Sequence, residues 1–424
     1  MTRRLVPGRG GRGGRLAAAA LLGAAVLLVA GCTAGGDPDP STTPTDPWAA
    51  WDAALADVDS SSARWLAVGD SLTEGQGATT VDDRWIDLTR DALRDAHPVD
   101  GVAGGVGYRP AVFATYPPDS PWASWAVERS DDARVDFTAP SLGFRALDLA
   151  PGAVVSYDVS GTDLDLWWSS GGGTFTWSVD GADPVEVDTS DAAAGVNLTT
   201  VTDLDPGPHT VTVTAEAATD VVVLHGLTQY DGDRDAGVVL LDSAHTGYTT
   251  ADFTDQLAGW LEAVAAAEPD LVTITLGVND ASLSSPDEVA ADYTALIGGL
   301  QSLDAPPTVV VVDEFSAGLG DTAAWQGTRD EYERALQEVV DDTGVASLSL
   351  GDALAEATGA ASSSPGGTAS GTGASSSGAS GSDATATPAG EAATLGSLIA
   401  GDGIHPNDAG QRAIARYMTE ALSR

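Results

Sequence analysis

The sequence contains a single cysteine and no lysine. Because Cys32 is alone, no disulfide can form within one chain, and no cluster of cysteines can bind a metal. Positive charge rests on arginine only, and the formal net charge at pH 7 is −43. Such a surface repels polyanions, so the composition argues against nucleic acid as a partner. Only five histidines occur, which leaves few candidates for a catalytic base.

Long apolar runs are also scarce. Residues 16–30 form one, preceded by five arginines, and it is too short to cross a bilayer comfortably. This pattern predicts a secretory signal over residues 1–31, and residues 29–32 (Val-Ala-Gly-Cys) resemble a bacterial lipobox. We therefore predict lipidation at Cys32 and an extracytoplasmic protein that reaches the membrane by its lipid anchor only. Residues 32–61 are predicted to be a tether and a leading helix.

Short apolar runs alternate with helical patterns on both sides of a long middle section. Five runs indicate buried strands, at residues 64–68, 238–241, 271–276, 309–312 and 345–350. Apolar spacing predicts helices over residues 81–96, 251–266, 286–302, 321–342 and 408–423. Alternating strands and helices imply a parallel sheet with helices on both faces. We predict one discontinuous α/β domain made of residues 62–100 and 233–424.

Two segments depart from that pattern. Over residues 101–232 apolar and polar residues alternate, as at Val155, Tyr157 and Val159, and Pro-Gly and Asp-Gly pairs separate the runs. This alternation predicts an inserted all-β domain, a sandwich or jelly roll. Residues 359–392 are almost wholly Ala, Gly, Ser, Thr and Pro. Such a composition buries too little apolar surface to order itself and predicts a disordered surface loop.

A Gly-Asp-Ser turn that ends in Ser71 follows the first predicted strand. Open α/β sheets bind their ligands at the carboxyl ends of the strands, so the serine would lie at such an edge. An ordinary turn accounts equally well for this short motif. Ser71 therefore becomes a candidate nucleophile only together with further residues.

A carboxylate and a histidine lie three residues apart near the carboxyl end of the chain. In an irregular loop, Asp402 can reach back to Nδ1 of His405, fix its tautomer and stabilise its imidazolium form. A capped loop would give the same short pattern. His245 is the rival candidate for a base.

Two further segments follow predicted strands. Asn279 comes after the strand at residues 271–276, and its side-chain amide could donate to an oxyanion or form an ordinary Asx turn. Gly247 comes after the strand at residues 238–241. A glycine there lets its backbone N–H approach a ligand closely, although turns use glycine for the same freedom.

Together these segments resemble the SGNH, or GDSL, hydrolase family. The matching segments, in the family's order, are residues 69–72 (Gly-Asp-Ser-Leu), 245–249 (His-Thr-Gly-Tyr-Thr), 277–280 (Gly-Val-Asn-Asp) and 402–406 (Asp-Gly-Ile-His-Pro). The resemblance covers roughly residues 62–100 and 236–424. It departs from the family pattern just before the glycine, where Asp242-Ser243-Ala244 replaces the usual asparagine.

The resemblance implies a serine esterase on a flavodoxin-like doubly wound sheet of about five parallel strands. It implies Ser71 as nucleophile, His405 as base and Asp402 as the residue that orients the base. The implied oxyanion hole consists of the N–H groups of Ser71 and Gly247 and the side chain of Asn279. The implied mechanism needs no metal and no cofactor.

Three classes of function remain open at this point. The first is hydrolysis of O-acyl esters, above all O-acetyl esters, on cell-wall or other carbohydrate. The second covers an O-acyltransferase with the same triad and a lipase or esterase acting on small lipid esters. The third is a glycan-binding lipoprotein without catalysis, and an intact triad argues against it. The oligomeric state and the choice between Sec and Tat export are open too.

A tryptophan in the insertion is a candidate for substrate binding. Trp167 would share a strand face with Asp163 and Asp165, which predicts an exposed ring beside carboxylates. Such a ring could stack on a sugar while the acids bind its hydroxyls. Trp168 points to the opposite face, among leucines, and is predicted to be buried.

Overall fold

The computed structural model describes residues 46–113, 126–191, 195–217, 220–321, 324–359 and 394–424. The predicted signal over residues 1–31, the lipidation site Cys32 and the first part of the predicted tether lie outside these residues. Of the predicted loop over residues 359–392, residues 360–392 also lie outside the described residues. These interpretations therefore stay predictions. In the described ranges, no helix has the length and apolar character needed to cross a membrane.

The described strands form two sheets. In chain order the strands are β1 (Ala63–Gly69), β2 (Gly107–Pro110), β3 (Ala126–Arg129), β4 (Ala133–Asp136), β5 (Ala146–Leu149), β6 (Val154–Ser160), β7 (Asp163–Ser169), β8 (Thr174–Val179), β9 (Val185–Asp188), β10 (Val196–Val201), β11 (Pro208–Ala215), β12 (Val222–Tyr230), β13 (Val238–Ala244), β14 (Leu271–Thr275), β15 (Thr308–Asp313) and β16 (Ala346–Ser349).

The helices lie mostly outside the predicted insertion. They are α1 (Ala49–Ala56), α2 (Ser71–Glu74), α3 (Trp85–Ala96), α4 (Thr250–Thr254), α5 (Leu257–Ala267), α6 (Pro286–Gln301), α7 (Arg329–Thr343), α8 (Leu350–Thr358), α9 (Leu395–Leu398) and α10 (Asp408–Leu422). Short 3₁₀ helices occur at Val81–Asp83, Thr189–Asp191, Asp280–Ser282 and Phe315–Ala317.

The larger sheet runs in the order β10-β7-β12-β2-β13-β1-β14-β15-β16, with β5 and β4 attached beside β12. Five neighbouring strands of this sheet pair in parallel, namely β13, β1, β14, β15 and β16. Counted among themselves in chain order, these five follow the arrangement 2-1-3-4-5, which is the flavodoxin-like order. The predicted doubly wound sheet of five parallel strands is therefore confirmed.

Both faces of the parallel strands are buried because successive side chains of a strand point to opposite sides. On one side, Leu66 and Val68 of β1 join a core that includes Trp260 of α5. On the other side, Trp65 of β1 joins a core that includes Trp51 of α1. Double burial explains why these strands read as continuous apolar runs in the sequence.

Helix boundaries differ from the predicted ones at three places. The predicted helix over residues 81–96 is the short 3₁₀ helix Val81–Asp83 followed by α3. The predicted helix over residues 251–266 is two helices, α4 and α5, interrupted at Asp255 and Gln256. The predicted helix over residues 321–342 begins only at α7, because the carboxylate of Glu331 accepts the backbone N–H of Thr328 at 2.8 Å and closes the helix start.

The predicted insertion contributes strands to both sheets. β3, β6, β11, β8 and β9 form the smaller sheet, whereas β4, β5, β7, β10 and β12 extend the α/β sheet through β2. A third apolar core lies between these two layers. An independent inserted sandwich is not confirmed, since one of its layers is continuous with the α/β sheet. The domain boundaries at residues 101 and 232 stay a prediction.

Trp167 is buried, and its predicted exposure is wrong. Its side chain is 4% exposed, its Nε1 donates to Oγ1 of Thr228 at 2.8 Å, and its ring meets the ring of Tyr108 edge-on. Asp165, on the same face of β7, is buried as well. Trp168 is buried on the opposite face, as predicted. The alternation of polar and apolar residues along β7 predicted the wrong exposure for Trp167, because packed layers cover both faces of this strand.

Candidate active site

Ser71 is the first residue of α2, and only Asp70 separates it from the end of β1. Oδ1 of Asp70 accepts the backbone N–H of Leu72 at 2.8 Å and caps the short helix that Ser71 begins. A Cβ at Gly69 would collide with the side chain of Thr73, so the turn needs glycine at that position. The side chain of Ser71 is therefore fixed at the carboxyl end of a central strand, and the residue is 7% exposed.

The loop before α10 brings His405 and Asp402 to this serine. Nε2 of His405 lies 2.9 Å from Oγ of Ser71, and its Nδ1 lies 2.8 Å from Oδ2 of Asp402. Oδ1 of Asp402 accepts the backbone N–H groups of Ile404 and His405. The side chain of Asn407 caps α10 directly after the loop. Three residues singled out from the sequence thus form one chain of hydrogen bonds.

The charge of Asp402 is held by its hydrogen bonds. Partial burial acts to raise its pKa, but donors from Ile404 and His405 outweigh burial and lower the pKa below the ordinary value. A carboxylate at Nδ1 favours the tautomer that has its proton there and leaves Nε2 to accept a proton. The arrangement can therefore move a proton from Ser71 to His405.

Gly247 lies in a turn over residues 245–248, which we name the glycine turn. The backbone N–H of Tyr248 donates to the carbonyl of His245 and closes the turn. The φ of Gly247 is +83°, in the left-handed region that favours glycine. The N–H of His245 donates to the carbonyl of Gly69 at 2.9 Å, which ties the glycine turn to the end of β1 beside Ser71.

Asn279 connects the glycine turn to Asp70, which lies in the turn before α2. Its Nδ2 donates to Oδ2 of Asp70 at 2.8 Å and to the carbonyl of Tyr248 at 3.0 Å. These two acceptors use both amide hydrogens. A developing oxyanion that binds Asn279 would therefore have to displace one of these two acceptors.

Buried acids lie beneath these turns. Burial raises the pKa of Asp70 to about 7, and the neighbouring Asp280 and Glu74 act in the same direction. Burial also raises the pKa of Asp280 to about 6, and that of Glu314 well above its ordinary value. Oε2 of Glu314 accepts the backbone N–H of Val278 at 3.0 Å. In the part of the chain described here, no cluster of His, Cys, Asp or Glu is arranged to hold a metal.

His245, the rival candidate for the base, is the first residue of the glycine turn. Its Nδ1 is 2.8 Å from the carbonyl of Gly143, and its ring stacks on Tyr248 with centroids 3.5 Å apart. Burial, aided by the charge of Arg145, lowers the pKa of His245 to about 3. His245 is therefore neutral at physiological pH and stacked on Tyr248 within the glycine turn, whereas His405 contacts Ser71.

A buried network of charges surrounds the site, and local sequence patterns do not predict it. Arg145, from the predicted insertion, donates to Glu74 at 2.8 Å and to Asp242 at 2.7 Å. Arg84 joins Asp242 to Asp87, with 2.6 Å at each contact. None of these five side chains is more than 1% exposed. Sequence reasoning missed the network because charged residues are rarely buried.

Comparison with known proteins agrees with this geometry. The sequence model of the GDSL-like Lipase/Acylhydrolase family matches residues 225–413, a range that contains Gly247, Asn279, Asp402 and His405. Ser71 precedes the matched range, from which the strands β2 to β11 separate it. No curated protein sequence matches the chain.

One of three similar solved structures shares the fold. A structure described as a peptidoglycan O-acetylesterase in action has 14% sequence identity, a TM-score of 0.58, and coverage of 89% of this chain and 95% of that chain. A family two carbohydrate esterase from Clostridium thermocellum in complex with cellohexaose has 14% identity, a TM-score of 0.27, and coverage of 70% and 98%. A lipase/acylhydrolase from Enterococcus faecalis has 17% identity, a TM-score of 0.28, and coverage of 44% and 76%. Only the first of these scores is high enough to show a common fold.

The observations on sequence, fold and family agree with one another. The parallel sheet has the predicted strand order, and the four matching segments meet at the carboxyl ends of its strands. The model of the GDSL-like Lipase/Acylhydrolase family matches part of the chain, residues 225–413, and this match supports a serine esterase, while the structure with a TM-score of 0.58 shows the shared fold.

Proposed function

We propose that the protein is an extracytoplasmic esterase that removes O-acyl groups, above all O-acetyl groups, from cell-wall or other carbohydrate. The chain of hydrogen bonds from Ser71 through His405 to Asp402, with lengths of 2.9 and 2.8 Å, is the observation that carries this proposal. The substrate class follows by analogy with the peptidoglycan O-acetylesterase structure. The location and the lipid anchor rest on the signal predicted over residues 1–31 and on Cys32.

In the proposed reaction, Oγ of Ser71 attacks the ester carbonyl carbon while its proton moves to Nε2 of His405. Asp402, at Nδ1, keeps the imidazole in the required tautomer and stabilises the imidazolium. The bond to the leaving alcohol then breaks, and His405 donates the proton to that alcohol. Water, deprotonated by His405, attacks the acyl group on Ser71 and releases the acid.

The proposed oxyanion hole uses three donors from three turns. These donors are the N–H groups of Ser71 and Gly247 and the amide of Asn279. In the free enzyme Asp70 and the carbonyl of Tyr248 hold the amide of Asn279, and the oxyanion replaces one of them as acceptor. Each preorganised donor of this kind contributes about 3 kcal/mol to stabilising the transition state.

Carbohydrate recognition, if it involves the insertion, uses residues other than Trp167. That ring is buried between two layers and cannot stack on a sugar. The proposed substrate is therefore still an acylated glycan or an acylated small molecule, and no aromatic residue is assigned to its binding.

Acetate release from a chromogenic acetate ester, with and without a sugar acceptor, tests the proposal. We expect the wild-type enzyme to release free acetate in step with the chromophore, whether or not the acceptor is present. The Ser71→Ala variant should release neither. Acetylated sugar formed in place of acetate would identify an acyltransferase, and hydrolysis by folded Ser71→Ala would contradict the proposed mechanism.

A further inference from the structure

The glycine turn contacts a segment of the predicted insertion, residues 137–145. The hydroxyl of Tyr248 donates to the carbonyl of Phe137 at 2.9 Å. Nδ1 of His245 lies 2.8 Å from the carbonyl of Gly143. Both ends of the turn that presents the Gly247 N–H are thus attached to the insertion.

Glu74 holds the middle of the same turn. Its Oε2 accepts both the backbone N–H of Thr246, at 2.6 Å, and the hydroxyl of Thr246. Its Oε1 accepts from Nη1 of Arg145 at 2.8 Å. Glu74 lies in the helix that begins at Ser71, and Thr246 directly precedes Gly247. One carboxylate therefore joins the nucleophile helix, the glycine turn and the insertion.

Arg145 is the member of this group that no other residue type could replace. Its second nitrogen, Nη2, donates to Oδ1 of Asp242 at 2.7 Å, so its planar fork binds two carboxylates at once. A lysine presents a single point charge and cannot reproduce that geometry. Because Arg145 and Glu74 are fully buried, loss of the arginine would remove the cation that pairs with Glu74, whereas Asp242 would keep its ion pair with Arg84.

We propose that Arg145 is a positioning residue for the oxyanion donor at Gly247 and acts through Glu74 and Thr246. By accepting both the backbone N–H and the hydroxyl of Thr246, Glu74 fixes the His245–Thr246 peptide plane and the side chain of Thr246. The next peptide plane, which joins Thr246 to Gly247, starts from this fixed residue. The direction of the Gly247 N–H follows from that plane. The insertion thereby completes the hydrolase site itself, in addition to any part it has in binding substrate. This inference rests on the proposed esterase function.

Two substitutions and one control test this role. Arg145→Lys keeps the charge and loses the fork, and Glu74→Gln keeps the shape and loses the charge. A misplaced catalytic group lowers the rate by up to about 10²-fold, so we expect kcat on a chromogenic acetate ester to fall roughly 10- to 100-fold in both variants. KM should stay within about twofold, because the donor acts on the transition state.

Arg90→Lys is the matched control. Arg90 is also buried, and its ion pairs are with Asp87 and Asp91. This variant should lose stability and keep the wild-type kcat. Circular dichroism and thermal unfolding, recorded first, define a temperature at which every variant compared is folded.

Wild-type kcat in folded Arg145→Lys and Glu74→Gln, or a change confined to KM, would overturn the inference. Should Arg145→Lys fail to fold, Thr246→Val decides, since it removes only the hydroxyl bond to Glu74. A fall in the kcat of Thr246→Val that is smaller than the fall in Glu74→Gln supports the positioning role, and an unchanged kcat refutes it. Failure of the proposed esterase function is a separate result, because it would appear as ester hydrolysis by Ser71→Ala.

Discussion

The imidazole of His405 lies 2.9 Å from the hydroxyl of Ser71, although 334 positions separate the two residues in the chain. Ser71 follows the first strand of the parallel sheet, and His405 precedes the last helix. That helix, α10, packs on α3, where Oε1 of Gln411 accepts the backbone N–H of Trp85 at 2.9 Å. The docking of α10 therefore fixes the distance between the side chains of His405 and Ser71.

Replacing Asn279 tests the proposed oxyanion hole. Loss of one oxyanion donor lowers kcat by roughly 10²–10³-fold and leaves KM nearly unchanged, and we expect this from Asn279→Ala. Steady-state kinetics on a chromogenic acetate ester measure both constants. Asn197→Ala, in β10, is the matched amide control and should behave as the wild type does. An effect of Asn279→Ala on KM alone would show that Asn279 binds substrate and not the oxyanion.

The pH dependence of hydrolysis tests the identity of the base. Because a histidine base must be neutral to accept the proton of Ser71, kcat/KM should rise between about pH 5 and about pH 8. His245 cannot produce this rise, since burial lowers its pKa to about 3. A flat profile across that range would contradict a histidine base.

The carboxyl of Asp70, next to Ser71, also changes charge in that range. Burial raises the pKa of Asp70 to about 7. An Asp70→Asn variant, measured over the same pH range, should therefore keep the rise in kcat/KM. Disappearance of the rise in that variant would assign it to Asp70 and not to His405.

The catalytic segments could be found from the sequence because each is short, local and attached to a strand end. Ser71, Asn279 and Gly247 all follow predicted strands, and Asp402 lies three residues from His405. The parallel strands could be found as well, since buried parallel strands give continuous apolar runs, and the family resemblance implied their order. The resemblance to a known family then placed these segments in one site.

Other features depend on contacts between distant segments, which local patterns do not reveal. The burial of Trp167 depends on a second layer packed over β7, and the alternation of a single strand does not show how many layers cover it. The ion pairs of Arg145 with Glu74 and Asp242 join residues far apart in the sequence, and each residue alone reads as a surface charge. The helix start at Arg329 is different, because the Thr328–Glu331 capping box was available in the sequence.

The buried carboxyls of Asp70 and Asp280 are expected to lower stability as the pH rises from about 4 to about 7. Burial raises the pKa of Asp70 to about 7 and that of Asp280 to about 6. In this window the unfolded chain has released protons that the folded state still binds, so the free energy of unfolding decreases with pH. Asp87 acts only below about pH 4, because its arginine partners outweigh burial and lower its pKa to about 2.

Glu314→Gln separates these buried acids from the general repulsion of a net charge of −43. Burial raises the pKa of Glu314 well above its ordinary value, so its ionisation opposes folding at high pH. The variant should raise the midpoint of thermal unfolding more at about pH 8 than at about pH 5. An equal shift at both pH values would show that Glu314 does not contribute to the pH dependence.

Replacing Trp167 is expected to lower stability and leave substrate affinity unchanged. A buried tryptophan truncated to alanine costs about 3–5 kcal/mol of unfolding free energy. The bond from Nε1 to Thr228 is lost as well. Thermal unfolding of Trp167→Ala, with KM measured on an acetylated glycan below the transition, checks both parts. A normal midpoint with a raised KM on the glycan alone would restore Trp167 as a sugar-binding residue.

The central claim is that Ser71 is the nucleophile of a serine esterase, and covalent labelling tests it most directly. A fluorophosphonate probe traps an activated serine irreversibly, and peptide mapping by mass spectrometry identifies the modified residue. We predict one label per chain, on Ser71, with esterase activity lost in proportion to labelling and no label on a His405→Ala variant. Complete loss of activity with the label on another residue, or full activity in a protein labelled at Ser71, would contradict the account.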